Sequence, residues 1–219
     1  MPNPNAIADT LIGAFDRASF GAAPYRHWLP EGMLPQTALA AIDALPVATP
    51  KIDDTRGKRE TNNKTRLFFG AEERARFRVC EALASALQSE RVVARLERLC
   101  DLNLRDSNLR IEYCLDTDGF WLEPHTDIGA KLFTMLIYLS DAPGCEAWGT
   151  DILDAELKLV ATSPYRRNIG LIFVPAADTW HGFHKRKIEG VRRSLIVNYV
   201  KPEWRARREL AFPDRPAGS

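Results

Sequence analysis

Two histidines and one aspartate in this 219-residue chain have the residue types and spacing of metal ligands. His125 and Asp127 are separated by one residue, and side chains at i and i+2 point to the same side of an extended strand. The pair can therefore hold one ion without distorting the backbone. A further histidine would complete two imidazoles and one carboxylate, a set that leaves other positions of a divalent metal open. His181 and His184 are both candidates, and residue type does not choose between them.

An arginine pair downstream suggests a second kind of chemistry. In the β-like run 191–199, alternate side chains face opposite ways, so only one of Arg192 and Arg193 points into a barrel. Arg192 shares its face with Ser194. A buried guanidinium requires an anion, and its planar fork beside a hydroxyl suits a small carboxylate. The sequence therefore predicts a carboxylate clamp at Arg192 and Ser194, with Arg193 as the alternative if the register differs by one residue.

The elements that position these residues change in kind near residue 108. Before it, apolar residues spaced three and four apart predict helices over residues 6–15, 35–45, 71–88 and 92–102. After it, alternating and β-branched runs predict strands over residues 109–115, 132–139, 157–161, 169–174 and 194–200. Such frequent strands indicate an α+β, mainly β protein: a double-stranded β-helix, or jelly roll, with supporting N-terminal helices. His27 falls in the helical part and is interpreted as a packing or surface residue.

One domain is expected over residues 1–219. It comprises helical support and loop 51–66 within residues 1–105, a jelly-roll catalytic core over 106–202, and a tail over 203–219 that is only partly ordered. The loop carries six basic and three acidic side chains. Its basic and amide side chains suggest contact with an acidic or hydroxylated substrate, the alternative being a solvated linker; they are Arg59, Asn62, Asn63 and Arg66.

Composition narrows the function classes. The 30 Lys and Arg against 29 Asp and Glu give a net charge of +1, so neither nucleic acid nor an acidic membrane is an expected partner. The four cysteines show no CxxC spacing, which disfavours a zinc ribbon or a disulfide framework and favours the reducing cytoplasm. Apolar runs fall short of the roughly 20 residues that cross a bilayer. The oligomeric state is not indicated by the sequence.

Taken in order, His125-x-Asp127, His181 and Arg192-x-Ser194 resemble the Fe(II)/2-oxoglutarate-dependent dioxygenases, most closely their prolyl-4-hydroxylase-like branch. The resemblance covers residues 109–200. The match to a His-Gly-hydrophobic tripeptide selects His181 over His184. Further matching segments lie on both sides of the His-x-Asp pair: Ile111-Glu112-Tyr113, Leu136-Ile137-Tyr138-Leu139, Gly170-Leu171-Ile172-Phe173 and His181-Gly182-Phe183.

The resemblance implies a division of roles. His125, Asp127 and His181 would be the catalytic metal ligands for Fe(II), and Arg192 with Ser194 would bind 2-oxoglutarate. The implied enzyme uses dioxygen to hydroxylate an unidentified small molecule or amino-acid side chain and releases succinate and CO2. The presence of Asp127, where related halogenases have a small residue, favours hydroxylation over halogenation. Tyr113 and Tyr138 match positions of phenols near the co-substrate, and the alternative is that both are core residues.

Three other interpretations stay open. A cupin-like protein would bind a metal or a dicarboxylate without turnover. A zinc-dependent hydrolase uses the same ligand types, but it leaves Arg192 and Ser194 unexplained. A β-sandwich interaction module with incidental histidines would bind no metal.

Overall fold

The structure is a computed structural model that describes residues 1–58, 65–127 and 129–219. Its α-helices are α1 (Pro4–Asp16), α2 (Gln36–Asp43), α3 (Ala71–Arg76), α4 (Arg78–Gln88) and α5 (Glu90–Cys100). Its strands are β1 (Ser19–Gly21), β2 (His27–Leu29), β3 (Arg66–Phe68), β4 (Asn108–Asp116), β5 (Leu122–His125), β6 (Lys131–Tyr138), β7 (Asp151–Leu153), β8 (Leu159–Thr162), β9 (Ile169–Phe173), β10 (His181–Phe183) and β11 (Arg192–Val200). The described helices of the α type all precede residue 108 and the longest strands follow it, as predicted, but β1, β2 and β3 lie in the part that was predicted to be helix and loop.

The strands form two antiparallel sheets. The larger has the order β1-β2-β9-β6-β11-β4-β3, and the smaller has the order β5-β10-β7-β8. Aromatic and aliphatic residues from both sheets, such as Tyr138, Ile196 and Phe183, form one core between them. The chain is therefore a double-stranded β-helix with supporting helices, as predicted.

The central strand β11 shows how alternation builds two separate cores. Leu195 and Val197 belong to the core shared with the helices. Ile196, between them, faces the core between the sheets. A side-chain period of two requires this alternation, because successive residues of a strand point to opposite faces. The same rule decides below which of the predicted site residues reach the interior.

The helices cover the outer face of the larger sheet. The Tyr199 hydroxyl donates to the Leu87 carbonyl at 2.6 Å, which ties β11 to α4. The predicted helix over 71–88 is two helices, because Phe77 has extended backbone angles, φ −122° and ψ 113°. Asn3 caps α1 by accepting hydrogen bonds from the backbone N–H groups of Asn5 and Ala6. A cap of this kind stabilises a helix by about 1 kcal/mol.

Several expectations about local structure were wrong. His27 lies on β2 and not in a helix, although it is buried and its Nδ1 bonds to the Tyr25 carbonyl at 2.9 Å, as a packing residue does. The tail is ordered against the domain: Ala211 and Ala217 donate backbone hydrogen bonds to Leu109 and Ser107, both at 2.8 Å. Strands of three or four residues, such as β5 and β10, were missed because so short a run has no measurable period.

All four cysteines are free and buried. In the described part of the chain, none of the helices has the length and apolar character needed to cross a bilayer.

Candidate metal and co-substrate site

The structure brings His125, Asp127 and His181 together. His125 ends β5 and His181 begins β10, and these two residues pair in register in the smaller sheet. Their ring centroids are 4.2 Å apart. Asp127 follows β5 with a left-handed φ of 63°, which turns its carboxylate toward both rings. One ligand atom from each residue lies within 4.8 Å of the other two, so a single ion can contact all three.

Hydrogen bonds fix the orientation of both imidazoles. His125 Nδ1 bonds to the Glu123 carbonyl and His181 Nδ1 to the Thr179 carbonyl, each at 2.9 Å. A carbonyl only accepts, so each Nδ1 carries the proton and each Nε2 keeps its lone pair. The two Nε2 atoms lie 3.6 and 3.7 Å from the oxygens of Asp127. Both lone pairs are therefore available to one metal.

The charge state of the triad suits a divalent cation. Burial acts to raise the pKa of Asp127, but Lys131 and the two imidazoles outweigh it and hold that pKa well below its ordinary value. Lys131 Nζ donates to Asp127 Oδ1 at 2.7 Å, and Thr134 Oγ1 donates to Oδ2 at 3.2 Å. Burial lowers the pKa of His181 to about 4. At neutral pH Asp127 is therefore a carboxylate and His181 a neutral imidazole, as Fe(II) and Zn(II) require.

A cavity of about 450 Å³ lies between the sheets beside the triad, and Arg192 lines it. Arg192 is buried, with Nε donating to the Trp148 carbonyl at 2.8 Å and Nη1 to Asp116 Oδ2 at 2.7 Å. Its Nη2 has no hydrogen-bond partner among residues 1–58, 65–127 and 129–219. Arg193 pairs in register with Leu115 and lies near Tyr113 on the opposite face. The cavity therefore receives Arg192 and not Arg193.

Ser194 lies one pleat beyond Arg192 on the same face. It is fully buried, and its Oγ has no hydrogen-bond partner within the described ranges. A buried hydroxyl without a partner costs free energy and calls for an explanation. A bound ligand carboxylate beside Arg192 supplies one, so this orphaned hydroxyl is consistent with an anion site.

The two predicted tyrosines lie in different cores of the protein. Tyr138 faces the core between the sheets, 5.8 Å from Arg192 as measured from the guanidinium carbon to the ring centroid. Its hydroxyl bonds to Thr150 Oγ1 at 2.8 Å and Ser163 Oγ at 2.7 Å. Tyr113 lies in the core shared with the helices, where burial raises its pKa to about 12. The structure therefore does not bring Tyr113 to the cavity, because an odd-numbered position on β4 faces outward.

No family model and no curated protein matches the sequence. Solved structures do match. A Pseudomonas putida prolyl-4-hydroxylase has a TM-score of 0.54 at 13% identity, over 89% of this chain and 94% of that one. A Trichoplax adhaerens prolyl hydroxylase in complex with a hypoxia inducible factor peptide fragment has a TM-score of 0.55 at 15% identity, over 93% of each chain. The non-heme alpha ketoglutarate dependent carbocyclase SnoK from nogalamycin biosynthesis has a TM-score of 0.51 at 12% identity, over 91% of this chain and 86% of that one. The chain shares their fold. At such low identity the likeness extends to the fold alone.

In this fold, His184 is held away from the triad. Its Nδ1 bonds to Asp151 Oδ2 at 2.6 Å, and Arg186 also contacts Asp151. The geometry thus separates the two histidines that residue type left equivalent. His181 faces Asp127, whereas the side chain of His184 is largely exposed and is paired with Asp151.

Sequence reasoning missed a polar network on the inner face of the larger sheet. Asn198 Nδ2 donates to Thr134 Oγ1 at 3.0 Å, and Arg110 Nη1 donates to Asn198 Oδ1 at 3.2 Å. Arg110 also bonds to Glu112 and Glu209, each at 2.8 Å. The alternation of β4 contained a signal, because Arg110, Glu112 and Asp116 share one face of a long strand. A buried strand with charges on its inner face indicates a polar cavity.

The loop before β3 contributes to the cavity wall. Gly57 and Lys58 line the cavity, and the Gly57 carbonyl accepts from the Glu123 backbone N–H at 3.0 Å. Arg66 forms an ion pair with Glu112 at 2.8 Å. The other side chains predicted to contact substrate, Arg59, Asn62 and Asn63, lie outside the described residues.

Proposed function

We propose that this protein is an Fe(II)- and 2-oxoglutarate-dependent dioxygenase that hydroxylates a small molecule or an amino-acid side chain and releases succinate and CO2. The observation that carries the proposal is one cavity lined by both a His-Asp-His triad and a buried arginine. The first offers open metal positions, and the second offers a carboxylate site away from the metal. The likeness of the fold to those of a prolyl-4-hydroxylase and of an alpha ketoglutarate dependent carbocyclase supports the same conclusion.

Each residue has a role that follows from its contacts. His125 Nε2, Asp127 and His181 Nε2 would hold the iron, with Lys131 and Thr134 keeping the carboxylate oriented. Arg192 Nη2 would donate to the distal carboxylate of 2-oxoglutarate, with Ser194 Oγ alongside. When bound, the iron and 2-oxoglutarate supply the oxidising chemistry, in which dioxygen is consumed and one oxygen atom enters the substrate.

The apolar part of the cavity wall would exclude water from the co-substrate. Leu136, Phe183 and Ile196 line the cavity beside Arg192. The Arg192 guanidinium carbon lies 4.8 Å from the Phe183 ring centroid. A charged contact is stronger where water is excluded, because the effective dielectric constant is lower. The clamp would therefore bind a carboxylate more tightly than an exposed arginine does.

An anaerobic absorbance titration tests the proposal. Metal-free protein is titrated with Fe(II) and 2-oxoglutarate, in the wild type and in Asp127→Ala, with exposed Asp141→Ala as the matched control. We expect a charge-transfer band that needs both additions, is lost or altered in Asp127→Ala, and is unchanged in Asp141→Ala. When oxygen is then admitted in the presence of a substrate that the protein hydroxylates, we expect succinate to form.

The other interpretations predict different results. Fe(II) binding without the band supports the zinc-dependent hydrolase or a metal sensor, and the band without succinate supports a protein that binds the dicarboxylate without turnover. A folded protein that binds no metal refutes the oxygenase.

The proposal also covers the domain organisation of the protein and its cellular compartment. The cavity is lined by the loop residues Gly57 and Lys58 and by the C-terminal residues Trp204 and Glu209, which supports one catalytic domain that includes both segments. The four free, buried thiols support a reducing cytoplasm.

A further inference from the structure

The cavity holds a second buried arginine at the end opposite Arg192. Arg110 lies on β4 and is 4% exposed. Asn198 links it to Thr134, and Thr134 donates to Asp127, so Arg110 lies on the metal side of the cavity. Asn198 and Arg192 are six residues apart on β11, which is about 20 Å along an antiparallel strand. The two arginines therefore mark different ends, and the Arg110 end is not used by the co-substrate clamp.

Arg110 and Glu209 offer one donor and one acceptor side by side. Arg110 Nε donates to Glu209 Oε2, and Arg110 Nη1 is taken by Glu112 and Asn198. In the described part of the chain, neither Arg110 Nη2 nor Glu209 Oε1 has a hydrogen-bond partner, and neither is fully buried. Both residues line the cavity. The wall thus presents a cationic donor next to an anionic acceptor.

Resting on the oxygenase function proposed above, we propose that Arg110 and Glu209 anchor the primary substrate and that this substrate is a free α-amino acid. Its carboxylate accepts from Arg110 Nη2, and its ammonium donates to Glu209 Oε1. The amino-acid side chain then extends from the anchor toward the triad. The ammonium and the carboxylate of an α-amino acid are attached to the same carbon and so lie close together, as the paired side chains of Arg110 and Glu209 do.

The charge of the anchor selects against other ligands. Arg110 and Glu209 already form an ion pair at 2.8 Å, so a singly charged ligand gains from one partner and is repelled by the other. A zwitterion gains from both and adds no net charge to a buried site. Each contact of a zwitterion joins two opposite charges, whereas a neutral polyol gains no attraction between ions, and this favours the zwitterion. A residue within a polypeptide has neither charge.

The cavity size agrees with a small substrate. Its volume of about 450 Å³ must hold both 2-oxoglutarate and the substrate. Small-molecule sites run from roughly 300 to 1,000 Å³. Trp204 and Ala206 of the C-terminal segment line the cavity, and the Trp204 ring centroid lies 5.2 Å from the guanidinium carbon of Arg110. These walls fit a compact ligand.

Binding to the anaerobic protein loaded with Fe(II) and 2-oxoglutarate tests the proposal. The probes are the twenty proteinogenic amino acids, their N-acetyl amides, and neutral polyols of similar size, measured by calorimetry and by the shift of the charge-transfer band. The variants are Glu209→Gln, which removes only the charge, and Glu209→Asp, which keeps it. Glu203→Gln, an exposed residue of the same segment, is the matched control.

We expect at least one free amino acid to bind and its N-acetyl amide not to bind. Glu209→Gln should weaken that binding by at least about tenfold, as loss of a charge-assisted bond does. Glu209→Asp should retain part of it, and Glu203→Gln all of it. The proposal is overturned if the band forms but no amino acid binds, if blocked amino acids or polyols bind instead, or if Glu209→Gln binds like the wild type. Absence of the band in the wild type is a separate result that removes the oxygenase function and this anchor with it.

Discussion

The role of Arg192 can be tested by a change that keeps its charge. Arg192→Ala would remove the guanidinium that pairs with the buried Asp116, and breaking a buried ion pair costs about 3–5 kcal/mol of stability. That loss would obscure any effect on binding. Arg192→Lys retains the charge beside Asp116 and removes the planar fork. The variant therefore separates co-substrate binding from folding.

The expected magnitude follows from the contacts of the guanidinium. Nε and Nη1 are engaged by Trp148 and Asp116, so Nη2 is the donor left for the distal carboxylate of 2-oxoglutarate. The single ammonium of a lysine cannot replace three donors held in fixed directions. Loss of one charged hydrogen bond costs about 1.5–3 kcal/mol. We therefore expect the affinity for 2-oxoglutarate to fall by roughly 10- to 150-fold.

The assay is the anaerobic charge-transfer titration at fixed Fe(II), with metal affinity measured separately. Arg193→Lys is the matched control, since Arg193 lies on the outer face beside Tyr113. We expect weaker 2-oxoglutarate binding only in Arg192→Lys, with Fe(II) binding unchanged in both. An Arg192→Lys affinity within about twofold of the wild type, or an equal loss in Arg193→Lys, would refute the assignment of the clamp.

Two further predictions concern the support of the site and the buried thiols. Thr134→Val removes the hydroxyl that donates to Asp127 Oδ2 at 3.2 Å. We expect the affinity for Co(II) or Fe(II) to fall about tenfold or more in this variant and to recover in Thr134→Ser. Unchanged metal affinity in Thr134→Val would show that the hydroxyl does not support the site. Burial raises the pKa of Cys80 from 9.0 to about 12, so above pH 9 the unfolded chain loses a proton that the folded chain keeps, and stability falls as the pH rises. Denaturant unfolding measures the fall in the free energy of unfolding between pH 8 and pH 10, and we expect this fall to be smaller by about 1 kcal/mol in Cys80→Ala than in the wild type. An identical fall in both proteins would contradict the assignment.

Much of the fold could be predicted from the sequence because long elements repeat their pattern. Strands β4, β6 and β11 have eight or nine residues, which is long enough for a period of two to be distinguished from a helical period. The short strands β5 and β10 carry His125 and His181, yet they have four and three residues and no recognisable period. They exist because they pair with each other, which is a long-range interaction. The break at Phe77 is likewise set by its surroundings and not by helix propensity.

The sequence by itself determined the candidate ligand pair His125 and Asp127 and the strand that carries the proposed clamp. His125 and Asp127 are close in the chain, and the alternation of β11 limits the inner face to one arginine. The expected extended backbone at Asp127 was wrong, because Asp127 lies beyond β5 with a φ of 63°. Only the tertiary structure decided the face of Tyr113, the pairing of Arg192 with Asp116, and the approach of Glu209 to Arg110. Those contacts join residues 76 and 99 positions apart. Such contacts depend on register between strands and on where the C-terminal segment lies, and neither leaves a periodic trace in the sequence.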